Sequence, residues 1–329
     1  MGKIVIGISA WADRSLVASG FYPAAVNTPA GRLRYYSAQF NVAEIDASYH
    51  YFPTRRNLEL WLENTPGDFT FDIRAFSLFT GHPTPYTSLP RGIREKYADR
   101  IEKKASVYQH HLPPEAIEEL WEATGRTAEA FAAAGKLGAI VFQFPPWFHP
   151  GPDNLEYIKQ CRERLPRHRL AVEFRVGTWL DDTHRESTLK FLKGQELALV
   201  CVDEPQGFRT SLPPLGEVTA SPGIVRFHGR NAAAWELKGV SPGEKFRYLY
   251  DETELQEWVP RLKGMAEAAG AVHVIFTNKY ADSPVRNALQ LKEMLSGGSS
   301  PKPAFSGRPE PFEPSAAWRT PGWPPRYSP

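Results

Sequence analysis

The sequence predicts an α/β protein: a single TIM-like (β/α)8 barrel with an insertion after strand three and a disordered proline-rich C-terminal tail. Three observations predict it. Short β-branched runs alternate with longer helical patterns, the order that parallel strands joined by crossover helices require. The runs number eight, the strand count of a closed α/β barrel. Several are almost continuously apolar, as strands covered on both faces must be.

In chain order, the strand-like runs are residues 4–9, 42–46, 69–75, 138–144, 170–174, 197–203, 224–229 and 272–278. Helical patterns cover residues 32–39, 56–63, 154–164, 181–193, 251–269 and 283–295. Asp181 and Asp251 stand where an N-cap carboxylate would accept the first free amides, and Ser283 precedes Pro284 as a cap before a first-turn proline. Residues 77–135 are too long for one connection and are read as an insertion over the barrel mouth, with a helical run at 115–134. His110 and His111 lie in its polar part and are expected at the surface. The barrel domain is placed at 1–296 and the tail at 297–329, whose Gly, Ser and Pro composition cannot bury enough apolar surface to offset the entropy of ordering. Phe312, Trp318, Trp323 and Tyr327 in that tail suggest either a docking motif for a protein partner or a strap folded back on the barrel.

Composition narrows the function. A formal charge of +2 over 329 residues gives no global attraction to nucleic acid or to an anionic membrane, so partners must be argued from sites. The two cysteines, Cys161 and Cys201, lack Cys-x-x-Cys spacing, which removes zinc clusters and disulfide frameworks and fits a reducing cytoplasm. The N-terminus enters directly into a strand-like run, and no apolar stretch reaches membrane-spanning length; neither a signal peptide nor a membrane is expected. No Gly-rich phosphate loop, Gly-x-Ser-x-Gly elbow or His-Glu-x-x-His helix occurs, and no cofactor is expected.

In such a barrel the loops after the strands build the working face, so polar residues at the strands' C-terminal ends are the candidates. They are Trp11 after strand one, Glu44 and Asp46 with Tyr49 and Tyr51 at strand two, and Gln143 at strand four. Glu173 and Arg175 follow at strand five, Asp203 at strand six, Arg226 and His228 at strand seven, and Asn278 at strand eight. Residues two apart on a strand share a face, so Glu44 pairs with Asp46, Glu173 with Arg175, and Arg226 with His228. Ionised groups inside apolar strands cost several kcal/mol unless paired, which places them in a common polar pocket.

Three chemistries fit these residue types. In the first, Arg175 and Arg226, with Arg230 as a further candidate, hold an anionic, phosphate-bearing substrate while Glu173 and His228 exchange protons, aided by Asp203 and Glu44. In the second, Glu44 and Glu173 act as the paired carboxylates of a glycoside hydrolase. In the third, Glu173, Asp203 and His228 hold a divalent metal, against the repulsion of the neighbouring arginines. The leading reading is an enzyme of hydrolase or transferase type acting on an anionic substrate, with a nucleotide or nucleic acid as one class. A non-catalytic nucleic-acid or ligand-binding protein is the competing class.

The same residues also carry a family resemblance. Gly7-Ile8-Ser9-Ala10-Trp11, Phe21-Tyr22-Pro23, Glu44-Ile45-Asp46, Gln143 with Pro145 and Pro146, Glu173-Phe174-Arg175 and Arg226-Phe227-His228-Gly229 run in order through the chain. In this the chain resembles the YecE-like family, domain of unknown function 72. The resemblance implies a TIM-barrel-like fold and supplies no activity. Ala10, Asp46, Arg74 and Thr277 stand where the family usually has Gly, Asn, Lys and Asn, so substrate identity can differ within it.

Overall fold

Residues 2–102 and 104–297 are described by the computed structural model. Its parallel strands are β1 (Lys3–Ser9), β2 (Val42–Ile45), β3 (Thr70–Arg74), β4 (Leu137–Gln143), β5 (Leu170–Glu173), β6 (Leu197–Asp203), β7 (Gly223–Phe227) and β8 (Ala271–Phe276). They close into a barrel, β8 pairing with β1 from Lys3↔Ala271 to Ile8↔Phe276, and β1 reaching β2 at Ser9↔Glu44. Each predicted strand therefore exists to within two residues at either end. The proposed tail beyond Gly297, with Phe312, Trp318, Trp323 and Tyr327, lies outside the described residues.

Paired positions in a parallel ladder share a face. The pairs Ser9↔Glu44, Gln143↔Glu173, Val202↔Arg226 and Arg226↔Ile275 therefore lie inside the barrel, and Asp203↔Phe227 and Phe227↔Phe276 lie outside. The outer face is apolar and packs under the helices in one continuous core, while Val5, Val42 and Ile275 form a small separate cluster on the inside. Asp72 marks a register shift between β3 and β4. Its carboxylate accepts the Ala139 N–H at 2.9 Å and lies 3.0 Å from His273 Nδ1, replacing the ladder bond lost at the irregularity. Gly138 is needed there, because a Cβ would come within 2.2 Å of that carboxylate.

Helix starts follow capping chemistry. Thr28 accepts from Gly31 N and Thr54 from Asn57 N, and Asp251 forms a capping box with Glu254. Four expectations change. Asp181 caps the turn to His184, and the helix itself begins at Arg185. Ser283 is the first residue of its helix rather than the cap. The pattern at 251–269 is two helices, Glu252–Gln256 and Val259–Ala269, because Pro260 has no N–H to continue the first and instead opens the second. The helix Pro114–Ala133 is the β3–β4 crossover, with Trp121 stacked on Phe79 at 3.8 Å and Phe131 5.2 Å from Phe71. The insertion proper is thus residues 77–113. It carries a short antiparallel ribbon, and within it His111 is buried while His110 is exposed. No helix among the described residues is long and apolar enough to cross a membrane.

Candidate functional site

The apolar strand β5 ends in Glu173, whose carboxylate is buried at the top of the barrel interior. Its Oε1 accepts Gln143 Nε2 at 2.6 Å and His228 Nε2 at 2.9 Å, and lies 3.3 Å from Arg175 Nη1. Its Oε2 takes Arg226 Nη1. Arg226 then donates through Nη2 to Glu44 Oε1 at 2.8 Å, so one guanidinium joins two glutamates.

The two carboxylates are shifted in opposite directions. Burial pushes Glu173 up, but Arg226, His228 and Arg175 outweigh it and hold the group well below the carboxylate range. Burial dominates at Glu44 and lifts it above that range despite Arg226 and Arg74. Glu44 Oε2, Ser9 Oγ and Arg226 Nε have no hydrogen-bond partner among the described residues. Burial also pulls His228 down to about 3, only partly offset by Glu173, so its ring is neutral near pH 7. Phe227 O already accepts the Thr277 N–H at 2.8 Å. The Thr277 hydroxyl lies 2.8 Å from His228 Nδ1 and 2.9 Å from Phe227 O and can donate to only one of them; because ionised Glu173 has no proton to give, the neutral ring presents Nε2–H to it, which leaves Nδ1 as the acceptor for the hydroxyl.

Toward the mouth the network continues. Arg74 donates to Asp46 Oδ1 at 2.6 Å and to Gln143 Oε1, and its guanidinium lies 4.2 Å from the centre of the Tyr49 ring. Lys279 donates to Asp46 Oδ2 at 2.6 Å. Burial opposes ionisation of Asp46, but Arg74 and Lys279 hold it far below the usual range. On the opposite side Arg175 stands 4.9 Å from the Trp235 ring centre and Lys245 Nζ 5.2 Å from the same ring. Burial and the neighbouring Arg175 lower the Lys245 pKa. Glu204 accepts the Leu212 N–H at 2.8 Å through Oε1, and burial lifts it to about 7 against the pull of Arg175. His82, edge-on to Tyr49 at 5.4 Å and to Trp147 at 5.8 Å, is pushed down to about 4 by burial, then Arg74 and Arg175.

Several candidate residues lie elsewhere. Asp203 faces outward, where its carboxylate takes Tyr250 OH at 2.8 Å, Arg230 Nε at 2.9 Å, Arg230 Nη2 at 2.7 Å and Trp258 Nε1 at 2.7 Å. It is a structural brace, and the set Glu173, Asp203 and His228 is not assembled. No group of three or more His, Cys, Asp or Glu among the described residues is placed to hold a metal. Asn278 also faces outward, donating to Tyr248 O and to Asn287 Oδ1 at 3.0 Å each, and so fixes a loop instead of facing the pocket. Trp11 is buried among Tyr36, Trp61 and Phe71 as core. Tyr51 is 59% exposed on the rim. Glu44 and Glu173 grip the same guanidinium, which leaves no room for a sugar between them and removes the paired-carboxylate geometry.

The structure therefore brings together Glu44, Asp46, Tyr49, Gln143, Glu173, Arg175, Arg226 and His228. Around them stand Arg74, Thr277, Lys279, Glu204, Lys245 and Trp235, none of which the sequence reading assigned to the pocket. Counting residues by twos from Val202 and Ile275, which share the face of Arg226, would have selected Glu204 over Asp203 and Thr277 over Asn278.

Comparison with known proteins agrees with this fold. The family model "Protein of unknown function DUF72" matches residues 5–309. The UPF0759 protein YunF of Bacillus subtilis (strain 168) is 29% identical over 296 residues, covering 89% of this chain and 94% of that protein. A DUF72 family protein from Thermotoga maritima MSB8 superposes with a TM-score of 0.68 at 27% identity, covering 89% of this chain and 99% of its own. One from Enterococcus faecalis V583 gives 0.72 at 23% identity, covering 94% of this chain and 100% of its own. With its eight-stranded barrel and a family match spanning nearly all of the sequence, the chain belongs to the DUF72 family.

Proposed function

We propose that this protein is an enzyme of hydrolase or transferase type whose substrate is anionic and phosphate-bearing. One observation carries the reading: two cations, Arg175 and Lys245, lie against the same Trp235 ring, and Lys245 has no ion pair among the described residues. Two cations that share one ring, near enough for Arg175 to lower the Lys245 pKa, favour an anion that contacts both. Arg74 and Arg175 are 10% and 11% exposed, so a ligand at the mouth reaches them directly. Beneath them the neutral His228 ring, hydrogen-bonded to the ionised Glu173, is the proton-handling pair.

The test is turnover across a panel of phosphomonoesters and phosphodiesters, with binding measured separately. Glu173→Gln and His228→Ala should abolish turnover and leave binding within a few fold, whereas Arg175→Ala should weaken binding by about ten- to a hundredfold, roughly 1.4–3 kcal/mol. The donors that saturate Glu173 favour a second reading, a non-catalytic binding protein, because a carboxylate so held gives up its partners reluctantly. Anion binding without turnover of any ester, weakened alike by every pocket variant, would select that reading.

A further inference from the structure

Glu204 shares a cation with the proposed anion site and holds it badly. Its Oε2 is buried and lies 3.2 Å from Arg175 Nη1, yet makes no hydrogen bond with any described residue. Its Oε1 is fixed by the Leu212 N–H, so the group cannot swing away to find a better partner. Arg175 is meanwhile divided, the same Nη1 lying 3.3 Å from Glu173 Oε1.

We propose that Glu204 competes with the incoming anion for Arg175 and sets the ligand's required charge state: an anionic ligand takes Arg175, and Glu204 yields it by accepting a proton from solvent. The only bond formed is O–H on the Glu204 carboxylate; nothing is oxidised or reduced. The proposal rests on the anion-site reading above. The charged groups that face Glu204 are Arg175 and Glu173 from the end of β5 and Lys245 from the segment after β7, while Asp203 acts on it from the other side of the barrel wall. The two acids and an arriving anion all favour the protonated form, and Arg175, Lys245 and the Leu212 N–H oppose it. Removing Arg175 to the ligand tips that balance. Glu204 already stands at about 7 through burial, so the exchange falls in the neutral range.

The probe is sulfate, which carries no titrating proton near pH 7. Calorimetric titration of the full chain in buffers of different ionisation enthalpy, from pH 6 to pH 9, gives both affinity and protons taken up. Above about pH 7 the affinity should fall by up to tenfold per pH unit, with uptake approaching one proton per sulfate. Glu204→Gln should bind sulfate with little pH dependence and no uptake. Equal uptake in Glu204→Gln overturns the proposal and assigns the proton to another group, such as Lys245. Should that variant fail to fold, the wild-type infrared difference spectrum decides. Sulfate should remove a glutamate carboxylate band and create a carboxylic-acid carbonyl band, and their absence overturns the proposal. Failure of the underlying reading looks different: the wild type binds no sulfate at any pH, or Arg175→Ala binds it as well as the wild type.

Discussion

Arg226 places its two terminal nitrogens on two different buried glutamates, one from β2 and one from β5. The partners are not equivalent. Glu173 is fully ionised and takes further donors, while Glu44 is lifted by burial and leaves one oxygen without a hydrogen-bond partner among the described residues. Arg226→Met should therefore cost about 3–5 kcal/mol, because it strands buried negative charge. Glu44→Gln should cost less, about 1–2 kcal/mol, since the amide oxygen can still accept from Arg226 Nη2 and the charge it removes is one that burial disfavours. Urea denaturation of both variants checks the contrast, and equal costs would overturn it. The residues that were legible in the sequence, Glu44, Glu173, Arg226 and His228, are charged or ionisable groups inside apolar strands, where burial demands partners. Asp203 and Asn278 were misplaced because one ends β6 and the other lies two residues beyond β8, where the face is set by register with a neighbouring strand.

At the scale of elements, β6 presents Asp203 and Glu204 to opposite sides of the barrel wall. The outward carboxylate ties β6 to Tyr250, Arg230 and Trp258, and so holds the loop and the restarted helix after β7 against the barrel. Asp203→Asn removes the charge from a carboxylate that accepts four hydrogen bonds, and should lower stability by about 2–3 kcal/mol. Sulfate affinity should stay within about twofold, because the side chain never reaches the interior; the pair of measurements, denaturation and ligand titration, separates brace from binding site. Gly229, with φ +87°, turns the chain away directly after His228, and a Cβ there would come within 2.6 Å of Tyr248 Cβ. The strands were legible because β-branched runs have few alternatives. The break before Val259 was not, because Trp258 and its neighbours continue an amphipathic pattern through a proline that in fact opens the next helix.

Across the whole molecule, apolar side chains fill the space between strands and helices, and the upper barrel interior is given to charge, an arrangement that makes stability depend on pH in opposing ways. His228 has its pKa lowered on folding, to about 3 from an ordinary 6.5, so the native state binds fewer protons than the unfolded chain. Its contribution is fully present above pH 6.5 and is lost as pH falls toward 3. Glu204 has its pKa raised to about 7, so the native state binds more protons. Its contribution is fully present below the ordinary glutamate range, about pH 4.3, and is lost as pH rises through 7. Because the two windows overlap, the wild-type profile alone does not separate them, but paired variants do. The stability advantage of wild type over Glu204→Gln should shrink between pH 4.5 and 7, whereas that over His228→Gln should grow across the interval from pH 4 to 6.5. Thermal or urea melts at half-unit steps of pH measure both differences, and a Glu204→Gln difference that is flat with pH would mean that the folded protein leaves this buried carboxyl with an ordinary acidity.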